Sequence, residues 1–387
     1  MTMIYADYNG SAPLLSSVRE HLKKRVESDL FANPNAIHSM GQRLSGGIEK
    51  CRSLIAEVVG CYPDQIFFNS GSSEGISQIL FSILEFAPKE KNIIITSPIE
   101  HVAVTSALQF YSKHKNFKIL QVDVDESGVV SVESLKKILD SYAPSVAVVA
   151  IMAVNNETGV LQPFKEIAKL CEEKNLEFFS DTTQLIGKTD FHFETSGIDY
   201  AVCSGHKLGA LTGSGFIIAK EPTKLRTHVF GSHQEKGLRG GTQNYLGIET
   251  LAIALKDFQS HQGNLKNLFA ARVEFESNLK KEFPEIVIVG DKAERLAGTT
   301  LISYPGIHGQ AVQIELESLN IFVTTSAACS DNQPETSAVL KSMKISDDIG
   351  RGVIRISLSY TQGKQDYQEI EKALSSSYKK LRKIKSF

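Results

Sequence analysis

Tyr200-Ala201-Val202-Cys203-Ser204-Gly205-His206-Lys207 is the stretch on which the fold turns. Four apolar residues read as a short buried strand, and the small polar turn after them ends on a lysine. A glycine-rich loop follows, with Gly209, Gly213 and Gly215. Outward from this stretch the same texture continues. Apolar runs at 65–68, 92–96, 145–150, 177–180 and 215–219 read as further strands, and amphipathic stretches such as 75–85 and 164–174 read as helices. Strand and helix in alternation predict an α/β domain with a mainly parallel sheet covered by helices on both faces. Ligands of such sheets bind in the crevice at the carboxyl ends of the strands. Asn69-Ser70-Gly71, Asp181 and the run Ser204 to Lys207 each fall just past a strand, so one crevice is expected to gather them.

From about Leu246 the texture changes. A helical run extends to about Phe283, short strands are expected at 287–289, 299–303, 321–324 and 353–357, and a basic helix closes the chain. This predicts a large α/β domain at 15–250 and a small α+β domain built from 1–14 plus 251–387. A chain of 387 residues is longer than one typical core requires, which agrees with two domains. The net charge of -2 supplies no field for nucleic acid, so no direct nucleic-acid partner is expected. No apolar run reaches membrane-spanning length, and the first residues lack the basic and apolar regions of a signal peptide. Five cysteines with no close pair argue against a disulfide framework and for a reducing, cytoplasmic setting. CxxC and HExxH spacings are absent, so no metal site is expected.

The chemistry begins with Lys207. Burial at a strand end disfavours the ammonium, and a neutral lysine is a nucleophile suited to a Schiff base with a carbonyl cofactor. The plain alternative is a lysine opening a surface loop. Asp181 follows the run 177–180, where a carboxylate can face a pyridine nitrogen and keep it protonated; it could equally cap a helix. Ser70-Gly71-Ser72-Ser73-Glu74 opens a helix after a strand, a place for an anion held by backbone N–H groups and hydroxyls. His101 could stack on an aromatic ring or be an ordinary surface residue. An aldehyde partner, a phosphate cradle and a ring acid together describe a site for pyridoxal phosphate.

The ordered motifs resemble those of the cysteine desulfurases (NifS/IscS-like), members of the class V aminotransferase group of fold-type I pyridoxal-phosphate enzymes. They run from Ser70-Gly71-Ser72-Ser73-Glu74 through Glu100-His101, Val154-Asn155-Asn156-Glu157-Thr158-Gly159, Asp181-Thr182-Thr183-Gln184 and Ser204-Gly205-His206-Lys207. Tyr5-Ala6-Asp7-Tyr8-Asn9, the loop Gly237-Leu238-Arg239-Gly240-Gly241-Thr242 and Ser326-Ala327-Ala328-Cys329-Ser330 extend the likeness over about 5–360. The resemblance implies that Lys207 carries the cofactor and moves protons at the substrate carbon. It implies that Asp181 pairs with the ring nitrogen, Gln184 bonds the ring's phenolic oxygen and His101 stacks on the ring. Ser72, Ser73, Ser204 and His206 would cradle the phosphate, joined by Thr242 from a second protomer, so a homodimer is expected. Asn156 and Arg355 would hold the substrate carboxylate, for which a guanidinium offers a bidentate fork.

Cys329 separates sulfur transfer from transamination. It stands among small polar residues, whereas Cys51, Cys61, Cys171 and Cys203 sit in apolar contexts that read as packing. The implied reaction converts L-cysteine to L-alanine, forms a persulfide on Cys329 and passes the sulfur to a protein acceptor, as in iron–sulfur cluster assembly or thiolation. The alternatives are a class V aminotransferase or lyase acting on another amino acid, and a non-catalytic scaffold. Thr182-Thr183 stand where the family usually has Ala-Ala, and the loop after Lys207 departs from its usual Gly-Pro-Lys-Gly pattern.

Overall fold

The computed structural model describes residues 3–325 and 335–383. Its strands, in chain order, are β1 (Ile4–Tyr5), β2 (Ile66–Asn69), β3 (Ile93–Thr96), β4 (Lys118–Gln121), β5 (Val146–Ala150) and β6 (Phe178–Ser180). They continue with β7 (Tyr200–Ser204), β8 (Gly215–Ala219), β9 (Val287–Ile288), β10 (Thr299–Ser303), β11 (Ile321–Phe322) and β12 (Val353–Ser357). Seven of these make the main sheet, in the order β2-β8-β7-β6-β5-β3-β4. The pairs β7/β6, β6/β5, β5/β3 and β3/β4 are parallel, while β8 runs antiparallel between β2 and β7. Every residue of β5, β7 and β8 is buried, as expected of central strands covered on both faces.

Neighbouring side chains of one strand supply opposite cores. Val149, Phe178 and Ala201 face a core shared with the helices Ser39–Val59 and Tyr245–His261. Val148, Phe179 and Val202 face the other, with Ile76, Leu80 and Leu108. The edge strand β4 was not foreseen, because Lys118-Ile119-Leu120-Gln121 is exposed at both ends and carries only two apolar residues.

The expected single helical run to Phe283 is two helices, Tyr245–His261 and Asn264–Glu282. Gly263 lies at the break, where glycine's poor helix propensity lets the chain turn so that the second helix packs on Lys364–Leu381. Small-domain strands β9, β10 and β12 form an antiparallel sheet. The chain's start packs beside it: β1 pairs in parallel with β11 as a separate two-stranded sheet, and Ile4 and Ala6 pack with Phe275, Ile302 and Tyr367. Among the described residues no helix is long and apolar enough to cross a membrane.

Candidate active site

The register of the main sheet gathers the site. Asn69 and Ser204 both lie opposite Gly215, so the ends of β2 and β7 and the start of β8 meet at one level. A cleft of about 430 Å³ opens there. Ser72, Ser73 and Ser204 line it with His101 and His206, and so do Asn156, Asp181, Gln184 and Lys207, all expected from sequence; Arg355, also expected, does not line it. Thr183, Thr212 and Gly213 line it too; because β8 is antiparallel, its leading loop reaches the same edge. Thr242 is exposed and does not line the cleft of its own chain. Cys329 lies outside the described residues.

Lys207 does not point to solvent. Its Nζ donates to the carbonyl oxygens of Asn9 (2.7 Å) and Gly10 (2.5 Å), two residues of a strap contributed by the start of the chain. Burial and the nearby Arg355 guanidinium push its pKa down to about 8, with Asp7 and Asp181 opposing. The amine is then half neutral near pH 8, where an ordinary lysine stays almost wholly charged, and the neutral form is the nucleophile. His206 is lowered to about 4, first by burial and then by the charges of Lys207 and Lys188.

An anion cup lies across the cleft. The helix Ser72–Leu84 begins at Gly71 with no side-chain cap, so its first-turn N–H groups face the cleft unclaimed by a cap. Gly71 has φ +145°, and a Cβ there would stand 3.1 Å from Ser204 Oγ, filling the cup. Gly215 is equally constrained: its Cβ would lie 2.5 Å from Gly71 Cα. Two glycines in contact therefore let two strand ends close around a phosphate-sized space.

Asp181 is buried, and its Oδ1 accepts from Thr183 N (3.0 Å) and from the Thr183 hydroxyl. Thr183 Oγ1 also lies 2.7 Å from Ser72 Oγ. The carboxylate can only accept, so the Thr183 proton goes to Asp181 and Ser72 donates to Thr183. The departure from Ala-Ala thus ties the acid to the anion cup, while Thr182 turns away and bonds Val202 O and N. Thr183→Ala should lower the unfolding free energy by about 1–2 kcal/mol, as for a hydrogen bond to a charged group, with Thr183→Ser near wild type. Urea unfolding checks this, and an unchanged midpoint in the alanine variant refutes it.

A third corner is built around the Arg355 guanidinium. Arg355 donates from Nη1 to Asn156 O (2.9 Å) and from Nη2 to Asp7 Oδ1 (2.6 Å). Its buried Nε has no hydrogen-bond partner among the described residues. Glu157, beside Asn156, is buried, and that burial lifts its pKa to about 7 although Ser337 donates to it and Arg355 is near. Glu100, next to His101, is pushed to about 8, chiefly by burial and further by Asp181. His101 is exposed at the rim, and its Nδ1 accepts from Ala103 N (3.1 Å), so a proton on the ring sits on Nε2. Asp7, Asn9, Lys188 and Glu157 are site residues that sequence reasoning did not assign. Asp7, Asn9 and Glu157 lie in the quoted motifs, which was the available signal.

The chain matches the aminotransferase class-V family over residues 4–370. The chain belongs to that family. Full-length relatives include the cysteine desulfurase IscS of Clostridium botulinum, 29% identical over 387 residues, covering 98% of this chain and 96% of that one. The cysteine desulfurase IscS of Rickettsia typhi is 30% identical over 385 residues, covering 98% and 92%. Among solved structures, a NifS-like protein superposes with a TM-score of 0.89 at 32% identity, covering 98% of this chain and 100% of that chain. A NifS-like protein from Rickettsia africae gives 0.86 at 28% identity, covering 98% and 100%. The family and the fold class expected from the motifs are those found.

In this class-V chain the cleft fits pyridoxal phosphate. The Lys207 amine reaches one wall, the buried Asp181 carboxylate another, and the side-chain-free cup at Gly71 is shaped for the phosphate. Burial drives the thiols of Cys51 and Cys61 up to about 11 and 12, and raises Cys171 and Cys203 as well. None of these four is an activated nucleophile.

Proposed function

We propose that this class-V family member is a pyridoxal-phosphate-dependent cysteine desulfurase that converts L-cysteine to L-alanine and leaves the sulfur as a persulfide on Cys329. One observation supports this above the rest. The residues flanking 326–334 are bonded to the Arg355 corner: Thr324 pairs through its backbone with Arg355, and Ser337 Oγ donates to Glu157 Oε2 (2.7 Å). The chain therefore leaves for Cys329 and returns from it beside the groups suited to an amino-acid carboxylate.

Ser72, Ser73, Ser204, His206 and the first-turn N–H groups hold the phosphate in this reading. Asp181 keeps the ring nitrogen protonated, Gln184 donates to the ring's phenolic oxygen, and His101 covers the ring from the rim. Bound there, pyridoxal phosphate supplies the electron sink that lets the bonds at the substrate's α and β carbons be broken. Lys207, largely neutral above pH 8, takes and returns the proton at the substrate's α carbon. Arg355 and Asn156 orient the substrate through its carboxylate. The Cys329 thiolate attacks the substrate sulfur as the carbon–sulfur bond breaks, and that bond's electron pair stays with the carbon skeleton, which is protonated and leaves as alanine. Atoms and electrons balance, since L-cysteine and a thiol become L-alanine and a persulfide.

A homodimer belongs to the same reading, with Thr242 serving the cup of the second copy; the Arg239–Glu74 ion pair holds the base of its loop beside Ser70–Ser73. The sulfur then passes to a thiol-bearing protein acceptor. Alanine and sulfide formed from L-cysteine, compared between wild type and Cys329→Ser, test the proposal. The variant should form alanine at least roughly a hundredfold more slowly, as expected for loss of a nucleophile. Equal alanine formation without the thiol refutes transfer through Cys329.

A further inference from the structure

Lys188 stands behind the catalytic lysine in a position that sequence gave no reason to single out. Its Nζ donates to Tyr8 O (3.2 Å), Asn9 Oδ1 (2.9 Å) and Gln184 Oε1 (2.5 Å). All three partners can only accept. An ammonium with three protons saturates them, whereas a neutral amine would set its lone pair against one of the oxygens. Burial, Lys207 and Arg355 press the Lys188 pKa well below that of a free lysine, with Asp7 opposing. The three acceptors also favour the charged form.

The consequence is geometric. With Oε1 held by Lys188, the Gln184 amide must present its Nε2 on the other side, where it donates to Asn9 O (2.9 Å). That same carbonyl receives Lys207 Nζ. Asn9 is braced in turn, since its Nδ2 donates to Thr299 Oγ1 and Asn156 O and its N–H donates to Ser357 Oγ. Lys188, Gln184, Asn9 and Lys207 thus form one continuous chain of hydrogen bonds. Behind both lysines lies a small pocket of about 40 Å³, walled by Leu265, Leu268 and Leu358, with Tyr8 and Tyr360 at its edge. Both amines are held by the oxygens of the strap and of Gln184 that accept from them.

We propose that Lys188 is a positioning residue: it locks the Gln184 amide and the Asn9–Gly10 carbonyl strap, and through them aims the Lys207 amine and fixes Gln184 as a donor toward the cofactor ring. The part concerning the ring rests on the pyridoxal-phosphate reading; the part concerning Lys207 does not. The charged and titratable groups facing this knot are Lys207, His206, Arg355, Asp7 and Asp181, with the Tyr8 and Tyr360 phenols beyond.

The test is a double-mutant cycle on the full chain with Lys188→Met, Gln184→Ala and the pair. The first readout is the pH midpoint for acylation of Lys207 in protein stripped of cofactor, followed by mass spectrometry. Wild type should show a midpoint near pH 8. Lys188→Met should raise it by about one unit as the strap relaxes and water returns to the amine, and Lys188→Arg should restore it. The second readout is the pH midpoint of the visible absorbance after loading with pyridoxal phosphate. There the double variant should match Gln184→Ala alone, because Lys188 acts through that amide. Unchanged midpoints in Lys188→Met overturn the proposal, and additive shifts overturn the route through Gln184. If Lys188→Met fails to fold, Lys188→Gln enters the same cycle and is read the same way. Wild type that binds no pyridoxal phosphate sinks the functional reading, while acylation still decides the role of Lys188.

Discussion

Under the proposed function, Lys207→Ala should lose the yellow colour of a covalently held cofactor and form alanine from L-cysteine roughly 10²–10⁴-fold more slowly than wild type, the range expected when a positioned proton-transferring group is removed. Two features make the loss large. The amine sits on the Asn9 and Gly10 carbonyls at a fixed place in the cleft, so no mobile surface lysine replaces it. Burial and Arg355 also bring it to a pKa of about 8, where a proton can be both accepted and returned near neutral pH. The sign follows: once substrate has displaced it, the amine gains its lone pair as pH rises, so the wild-type rate at saturating L-cysteine should climb through pH 8. Absorbance and alanine assays measure both effects. A variant within tenfold of wild type would remove Lys207 from the chemistry.

Glu235→Ala should cost about 3–5 kcal/mol of stability, the range for removing one partner of a buried ion pair. Glu235 holds Arg52 with two hydrogen bonds, of 2.8 and 3.0 Å, and the two side chains are 1% and 6% exposed. The same carboxylate accepts from Phe68 N and Gln243 Nε2, fastening the loop that bears Thr242 to β2. The backbone pays for this in conformation, with Glu235 at φ 46° and Lys236 at φ 58°, a region side chains other than glycine rarely adopt. Alanine would leave the buried Arg52 charge with only the exposed Glu49 as its partner, and the strain without its compensation. Replacing both partners, as in Arg52→Met with Glu235→Leu, should cost less than the single change, because no orphaned charge remains. Denaturant unfolding of the three variants checks the order; a single-variant loss below 1 kcal/mol refutes the clamp.

The strands bearing the site were legible because their signals are local. Phe178-Phe179-Ser180 and Tyr200–Ser204 are apolar over their buried length, and Asp181 and Lys207 come directly after them. The edge strand β4 was missed because an exposed edge carries no such run. The break at Gly263 was missed because a lone glycine between two helix-forming stretches is a weak stop signal.

By itself the sequence determined the fold class, the side of the sheet on which the site lies, and nine residues that line one cleft. It did so through the local step from strand to turn for Lys207, Asp181 and the turn that opens the helix at Ser72, and through the resemblance to the desulfurase motifs for Gln184 and Asn156. Tertiary structure alone decided which groups meet. Asp7 meets Arg355 across 348 positions, Lys188 meets Asn9 across 179, and Glu157 meets Ser337 across 180. Lys188, followed by Thr189 and Asp190, reads like any surface lysine until the chain's start is laid across it. The physical reason is that burial and charge coupling arise from neighbours brought together by the closed fold, and a local pattern holds no record of them.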